Sequence, residues 1–380
     1  MNIPFHKPYI TEEEINEVVD SIKSGWLTMG PKTIEFEKRF REYIFADSDV
    51  PEEKRFAISV NSCTAALHLA LKAIGIKPGD EVILPTNTFI ATAEVVTYFG
   101  AIPVLCDVDE QTHNIDVSKI ESLITHKTKA IIPVHFAGQP CDMDEIIELA
   151  RKYNLHVIED AAHALPSRYK DRMIGTIGDI TCFSFYATKT LATGEGGMVT
   201  TSNEEYARII KTNRLHGINR DAWDRYTLRG SWYYEVIDSG YKYNTTDINS
   251  ALGLAQLKKV DWMKQRRAEI ANRYNQAFSE TPITPLAIKT NRDTSWHLYV
   301  IKVNNRDELI ENLKREGIGT SVHFIPVHMH PYYRAKYGYK NEDYPVANKV
   351  FKMSLSLPIY PQMTEKEIDY VIEKVLKYAR

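Results

Sequence analysis

Apolar strands and helices alternate between residues 56 and 160, and this alternation restricts the possible folds more than any other feature of the chain. The pattern predicts strands over residues 56–60, 81–84, 103–106, 130–135 and 156–160, and helices over 65–73, 91–99 and 143–153. Such alternation is typical of a largely parallel sheet that helices cover on both faces. Asn61, Asn87 and Asp160 stand at the ends of three of these segments, at the edge where open α/β sheets bind ligands.

The segments on either side of this region extend the prediction to two domains. Before it, Thr11 and Glu14 form a capping-box sequence, and apolar residues recur at helical spacing from Ile15 to Ile22. After it, the pattern predicts strands over 180–185, 198–201, 296–303 and 320–324, and helices over 247–278, 307–316 and 364–378. We therefore predict an α/β fold, with a large domain over residues 1–255 and a smaller C-terminal α+β domain over residues 256–380.

Composition narrows the class of protein. With 380 residues, of which 43% are hydrophobic, the chain is long enough for two cores. The formal net charge of -3 argues against nucleic acid or an anionic membrane surface as a partner. The four cysteines form no C-x-x-C pair, so we expect neither a metal site nor a disulfide framework. The N-terminus lacks the layout of a signal peptide, and no apolar run could span a bilayer, so we expect a cytoplasmic protein.

Lys189 is the strongest candidate for a catalytic residue. It lies between two predicted buried strands, five residues after Ser184, on a loop that contains Gly194 and Gly196. Most loop lysines are solvated, but the apolar and aromatic flanks here would hold the amine near the core. Desolvation lowers the pKa of a lysine and exposes the neutral amine, which is the nucleophile that Schiff-base chemistry with an aldehyde needs.

Other residues would suit an aldehyde cofactor that carries a ring and a phosphate. Residues 61–66 form a predicted strand-to-helix turn, whose amides could hold a phosphate together with the Thr64 hydroxyl, or which could be a simple helix N-cap. Asp160 ends an apolar strand, where a carboxylate needs a partner such as a pyridinium N–H, although it could instead cap a following helix. Phe89 could stack on a flat ring, although a single phenylalanine is more often part of the core.

A phosphate turn, an aromatic residue, a strand-end aspartate and a Ser-x4-Lys segment, in this order, resemble the fold type I enzymes that use pyridoxal 5′-phosphate (PLP). Over nearly its whole length the chain also resembles the DegT/DnrJ/EryC1/StrS family of sugar-nucleotide aminotransferases. The matching stretches are residues 25–31, 61–71, 158–164, 184–197, 240–248, 296–299 and 322–333. Together these stretches are highly specific for the family.

The resemblance implies a role for each cofactor residue. Lys189 corresponds to the lysine that binds PLP covalently and moves the proton during catalysis, and Asp160 corresponds to the partner of the pyridine nitrogen. The other implied ligands are His163 beside the 3-hydroxyl, Phe89 on the ring, and Thr64, Ser184 and the Cys63 amide at the phosphate. Asn244 corresponds to a phosphate ligand that the second subunit of a homodimer supplies.

The implied reaction is transfer of an amino group from L-glutamate to a ketone of a nucleotide-diphosphate 4-keto sugar. Many family members carry Gln in place of His163 and Arg in place of Asn244. The forms in this chain resemble the branch that aminates UDP-4-keto sugars at C4, which includes 4-amino-4-deoxy-L-arabinose, spore-coat polysaccharide and pseudaminic-acid enzymes. The candidate contacts to the sugar nucleotide are Trp26, Arg220, Tyr234, His323 and His328.

Three alternatives remain at this point: a C3-aminotransferase, a PLP-dependent dehydratase acting on a dTDP- or GDP-keto sugar, and a non-catalytic PLP-binding regulator. The related dehydratases carry His where this chain has Lys189. A non-catalytic protein would be expected to lose Lys189 or Asp160, and both are present. The residues therefore favour transamination.

Overall fold

The structure is a computed structural model that describes residues 1–219 and 233–380. The strands found there are β1 (Phe56–Val60), β2 (Glu81–Pro85), β3 (Ile102–Cys106), β4 (Thr128–Ile131), β5 (His156–Asp160), β6 (Arg168–Tyr169), β7 (Arg172–Met173), β8 (Ile180–Ser184), β9 (Gly197–Thr201), β10 (Thr284–Pro285), β11 (Arg292–Asp293), β12 (Tyr299–Lys302) and β13 (Ser354–Leu357). The α-helices found there are α1 (Glu12–Ser24), α2 (Pro31–Ile44), α3 (Cys63–Ala73), α4 (Ala91–Tyr98), α5 (Val117–Ile120), α6 (Met143–Tyr153), α7 (Glu204–Asn213), α8 (Asp247–Leu257), α9 (Val260–Phe278), α10 (Arg306–Arg315), α11 (Pro331–Tyr337), α12 (Pro345–Met353) and α13 (Glu365–Tyr378).

A central sheet organises the described residues, with seven strands in the order β1-β9-β8-β5-β4-β2-β3. Strands β3, β2, β4, β5 and β8 pair in parallel, whereas β9 is antiparallel to both of its neighbours. This confirms the predicted large, mainly parallel sheet. The carboxyl ends of the parallel strands meet at one edge, where open α/β sheets bind ligands.

The central sheet is covered on both faces. In β2, Val82 and Leu84 pack into one hydrophobic core and Ile83 packs into a second. Neighbouring residues of a strand point to opposite faces, so these two cores lie on the two sides of the sheet. The smaller α+β part contains the sheet β10-β12-β13 and a third core, to which α9 contributes Tyr274.

The cores do not divide the chain at one point. Ile3, near the N-terminus, packs into the third core, and Val327 and Val350 of the C-terminal part pack into the first. The predicted domain boundary between residues 255 and 256 stays a prediction, because each side contributes to a core of the other.

Helix α1 presents an apolar stripe to the outside. Its predicted capping box at Thr11 is confirmed, and the helix buries Glu14, whose carboxylate accepts a hydrogen bond from the Gln256 amide of α8 at 2.8 Å. Ile15 and Ile22, in contrast, are 46% and 55% exposed. The buried side of α1 is therefore polar, and its apolar side has no cover within the described residues.

Three predicted elements differ from the structure, and the first is the strand predicted over residues 130–135, which is observed earlier, as β4 over Thr128–Ile131. The helix predicted over residues 247–278 is broken between α8 and α9, because α8 packs against α1 and α2 whereas α9 packs against α13. The strand predicted over residues 320–324 is reduced to one bridge between Ser321 and Ser356. Beyond that bridge the Phe324 amide donates to the Asn87 side chain at 3.3 Å, so the segment leaves the small sheet and contacts the large one.

Among the described helices none combines the length and the apolar character that crossing a bilayer requires.

Candidate active site

A cavity of about 570 Å³ lies where the parallel strands of the central sheet end. The cofactor residues predicted within the chain all line it: Cys63, Thr64, Phe89, Asp160, His163, Ser184 and Lys189. Asp160 and Ser184 are the last residues of the parallel strands β5 and β8, and Cys63 begins α3 just after β1. The topology therefore gathers residues that lie more than 100 positions apart in sequence.

Lys189 is carried by the loop between the antiparallel strands β8 and β9. Backbone hydrogen bonds close the loop, including one from the Phe185 amide to Gly196 at 2.9 Å and one from the Lys189 amide to Tyr186 at 2.8 Å. The amine lies inside the cavity wall, and burial lowers its pKa to about 8, a shift that nearby Cys63 and Asp160 oppose. The neutral amine is thus far more populated near pH 7 than in an ordinary lysine, as the sequence predicts.

Asp160 is held by two donors at the cavity wall. One carboxylate oxygen accepts from the Thr92 hydroxyl at 2.8 Å, and the other accepts from the Ala162 amide at 3.1 Å. Thr92 in turn lies 2.8 Å from the Thr88 hydroxyl, so the two form a short chain that leads to Asp160. Burial raises the pKa of Asp160. A turn follows the strand here instead of a helix, so the helix-cap alternative for Asp160 is wrong.

The turn before α3 serves both as a helix cap and as a candidate phosphate site. The Ser62 hydroxyl caps the helix by accepting from the Ala65 amide at 3.1 Å. The amides of Cys63 and Thr64 find no acceptor among the described residues, and both residues face the cavity. A Cβ on Gly197 would lie 2.7 Å from the Ser62 carbonyl carbon, so only glycine lets β9 approach this turn so closely.

His163 and Phe89 lie at different depths in the cavity. His163 is buried, its Nδ1 accepts from the Ala137 amide at 3.3 Å, and burial holds its pKa well below the usual value. Phe89 is 59% exposed and packs only loosely on Phe324, at 5.8 Å between ring centroids. The core alternative for Phe89 is therefore wrong, and its ring is available to a ligand.

These features fit PLP. An amine of lowered pKa, a buried carboxylate and a turn with free amides lie in one cavity, and PLP carries an aldehyde, a pyridine nitrogen and a phosphate. The glycine at position 197 keeps space beside the turn that any side chain would fill.

Among the described residues that were predicted to contact the substrate, only His323 lines the cavity. His323 lines it, hydrogen bonds to Ser356 at 2.8 Å, and has its pKa lowered to about 4 by burial and by the charge of Lys189. His328 is fully buried elsewhere, and Thr86 and Asn348 satisfy its two ring nitrogens. That placement argues against a substrate contact by His328.

The other predicted substrate contacts lie outside the cavity lining or outside the described chain. Trp26 is partly buried against Gly30, and Tyr234 is exposed. Arg220 lies outside the described residues. These predictions gain no support from the placement of the residues.

Asn244 does not line the cavity of its own chain. It lies in a loop beside the turn before α3, where the Asn61 amide donates to the Tyr243 carbonyl at 2.7 Å. The Lys242 amine donates to the side-chain oxygen of Asn244 at 2.6 Å. The side-chain amide of Asn244 donates to the Thr245 carbonyl at 3.0 Å.

Several residues that line the cavity were not predicted from the sequence. Phe5 and His6 come from the N-terminal segment, where Ile3 forms a bridge with Ile318. His297 lines the cavity from the turn before β12, and its Nε2 lies 3.5 Å from Lys189 Nζ. The Trp296-His-Leu-Tyr stretch of the family match contains His297 and was the available signal, whereas no local pattern marks His6.

Known proteins resemble this chain over nearly its full length. A sequence model of the DegT/DnrJ/EryC1/StrS aminotransferase family matches residues 8–376. The spore coat polysaccharide biosynthesis protein SpsC of Bacillus subtilis is 53% identical over 382 residues, which cover 98% of this chain and 96% of that protein.

Solved structures are similar over the same length. The putative sugar aminotransferase Spr1654 from Streptococcus pneumoniae, solved in PLP and PMP forms, is 37% identical with a TM-score of 0.90, over 99% of this chain and 98% of that chain. PseC from Helicobacter pylori, an aminotransferase involved in the biosynthesis of pseudoaminic acid, is 28% identical with a TM-score of 0.90, over 99% of each chain.

Proposed function

The chain belongs to the DegT/DnrJ/EryC1/StrS aminotransferase family, and from that premise we propose that it transfers the amino group of L-glutamate to the C4 ketone of a UDP-linked 4-keto sugar. The product would enter the synthesis of a surface or spore-coat polysaccharide. The protein is a PLP-dependent aminotransferase of fold type I. The observation that carries the proposal is that the Lys189 amine and the Asp160 carboxylate share one cavity.

We propose that the residues of that cavity bind PLP. Lys189 would bind the aldehyde, Asp160 the pyridine nitrogen, and the amides of the α3 turn, with Thr64 and Ser184, the phosphate. A buried carboxylate gains most from a cationic N–H partner, so Asp160 would keep the ring nitrogen protonated. Bound PLP supplies an electron sink for the charge that is left when a C–H bond at Cα breaks.

Lys189 would carry the proton in both halves of the reaction. Its Nζ would accept the proton from Cα of glutamate in the first half and donate a proton to C4 of the sugar in the second. A general acid–base works best when its pKa lies near the operating pH, and the Lys189 pKa of about 8 meets that condition. The same amine therefore suits both directions of transfer.

Two features support the sugar substrate. The relatives named above include a polysaccharide biosynthesis protein and an aminotransferase of pseudoaminic acid synthesis. The chain also carries His163 and Asn244, the forms that resemble the branch acting on UDP-4-keto sugars. Among the predicted substrate contacts that the structure describes, His323 is the one at the cavity wall, and we propose that it contacts the sugar.

The function is tested with a panel of UDP-, dTDP- and GDP-linked 4-keto sugars. Each is incubated with the purified protein and L-glutamate, and the product is identified by mass spectrometry and by the position of the new amine. We expect a 4-amino product from the UDP sugar at the highest kcat/KM. A 3-amino product, a dehydrated product or a preference for dTDP or GDP would contradict the assignment.

We also propose that the active site is completed by a second subunit. Asn244 does not line the cavity of its own chain, so we expect it to act as a phosphate ligand in the cavity of a second chain. The exposed stripe of Ile15 and Ile22 on α1 supports an assembly, because contiguous exposed apolar surface commonly marks a protein interface. A two-fold dimer would then contain two shared sites.

Complementation between two inactive variants tests the shared site. Lys189→Met removes the amine, and Asn244→Asp places a negative charge against the phosphate, so each homodimer should be inactive. When equal amounts are refolded together, about half of the dimers are mixed, and each mixed dimer has one native site. We expect about a quarter of the wild-type activity, measured at equal protein concentration.

The control for the amide-to-acid change is Asn203→Asp, at the N-cap of α7, where either side chain can accept from the helix amides. That homodimer should remain active. If the mixture of the first two variants shows only the sum of the parental activities, despite subunit exchange detected by native mass spectrometry, Asn244 does not act across the interface.

A further inference from the structure

We propose that His297 is a positioning residue for Lys189: its Nε2 accepts a hydrogen bond from the lysine amine and aims that amine into the cavity. The two nitrogen atoms are 3.5 Å apart, and both residues line the cavity. This inference rests on the proposed role of Lys189 and extends it to a residue for which the sequence analysis predicted no role.

The imidazole is held on more than one side. Its ring lies 4.3 Å from the ring of His163, measured between centroids. His297 is only 6% exposed, so it has little freedom to turn away from the amine. A fixed acceptor of this kind suits a lysine, whose four-carbon side chain otherwise leaves the position of its nitrogen undefined.

Arg267 anchors the backbone beneath His297. This arginine of α9 is 1% exposed, and its guanidinium donates to the carbonyls of Ile359, Trp296 and His297, at 2.7, 3.4 and 3.4 Å. No carboxylate of the described residues forms an ion pair with it. An uncompensated buried charge is costly, and here its effect is to fix the histidine backbone and to disfavour a second positive charge on the ring.

A neutral imidazole can accept from Lys189, whereas an imidazolium cannot. Burial, together with the charges of Lys189 and Arg267, holds the pKa of His297 well below its usual value, so the ring is neutral at physiological pH. The titratable and charged groups that surround the pair, from every element packed against it, are His6, Cys63, Asp160, His163, Arg267 and His323.

The test follows covalent attachment of PLP to cofactor-free protein by visible absorbance, from about pH 6 to about pH 10. The wild-type rate should rise with a midpoint close to the Lys189 pKa of about 8. In His297→Phe the ammonium loses its acceptor, so the midpoint should fall, and the rate at high pH should fall by about tenfold because the amine is no longer aimed.

A conservative pair of variants separates positioning from packing. His297→Gln can place an acceptor at the depth of Nε2 and should restore the wild-type midpoint and rate within about twofold. His297→Asn is too short to do so and should behave like His297→Phe. His328→Gln, at a buried histidine outside the cavity, should match the wild type.

The outcomes distinguish this inference from the proposed function. Equal rates and midpoints for His297→Gln, His297→Asn and wild type would overturn the positioning role, and this comparison holds even if His297→Phe does not fold. If Lys189→Met attaches PLP as fast as the wild type, the assignment of Lys189 fails, and the role of His297 fails with it. Attachment that depends on Lys189 but not on His297 overturns the inference alone.

Discussion

Lys189→Met is expected to abolish covalent PLP binding and to lower turnover by about four orders of magnitude, because one amine serves as both the attachment point and the proton carrier. The wild-type protein should absorb in the visible with PLP, lose that band on addition of L-glutamate and regain it with a 4-keto sugar nucleotide. The variant should still bind PLP non-covalently through Asp160 and the α3 turn. Borohydride reduction followed by peptide mass spectrometry measures attachment directly.

The control is Lys170→Ala, at an exposed lysine that pairs with Asp144 on the surface. Exposed ion pairs contribute little, so this variant should keep both the visible band and the turnover. Wild-type turnover in Lys189→Met, or borohydride trapping of PLP on another lysine, would show that the cavity amine is not the reactive one.

Lys189→Met should also stabilise the cofactor-free protein at neutral pH. Burial lowers the pKa of Lys189 from 10.5 to about 8, so below about pH 8 the folded protein carries a charge that it holds less favourably than the unfolded chain does. Between about 8 and 10.5 the folded state has lost that proton while the unfolded state retains it, so wild-type stability rises with pH. The advantage of Lys189→Met in chemical denaturation should therefore shrink across that interval.

Asp160→Asn is expected to keep the fold and to lower turnover by about a hundredfold or more, because a neutral amide does not hold a proton on the pyridine nitrogen. The amide can still accept from Ala162, and the Thr92 hydroxyl can rotate, so the loss should appear in kcat more than in thermal stability. Burial raises the pKa of Asp160 in the cofactor-free protein, so the binding of PLP to that protein should weaken on acidification as the carboxylate becomes protonated.

Asp179→Asn is the matched control for this variant. Asp179 also accepts a backbone hydrogen bond beside β5, from the Val157 amide at 2.8 Å, but it does not line the cavity. The Asp179→Asn variant should retain wild-type turnover. Wild-type turnover in Asp160→Asn itself would exclude the proposed pairing with the pyridine nitrogen.

Local pattern was enough to locate the secondary structure that carries the site. The predicted bounds of β1, α6 and β5 are those observed, because apolar runs of strand length or helical spacing are bounded there by turn residues. Lys189, Asp160 and Thr64 could be singled out for the same reason: Asp160 ends a recognisable strand, Lys189 lies on a loop between two strands, and Thr64 lies at a strand-to-helix turn. A sheet of parallel strands then brings such ends together.

Local pattern failed where a distant contact decided the conformation. The break between α8 and α9 depends on α1, α2 and α13, which the two helices contact separately. The segment over residues 320–324 alternates like a strand but leaves the small sheet where Asn87 binds the Phe324 amide. His328 shares a family stretch with His323, yet only the fold determines that one is buried elsewhere and the other lines the cavity.

The sequence by itself was enough to predict the fold class from its alternating strands and helices, and the PLP chemistry from its resemblance to a known family. It also supplied the candidate cofactor residues that the structure brings into one cavity, because they stand at strand ends and turns. Only the tertiary structure placed His297 beside Lys189, across 108 positions of sequence, and Thr92 beside Asp160, across 68. Contacts of this kind leave no periodic signal, because the two partners belong to elements whose relative position is set by packing of the whole domain and not by either segment.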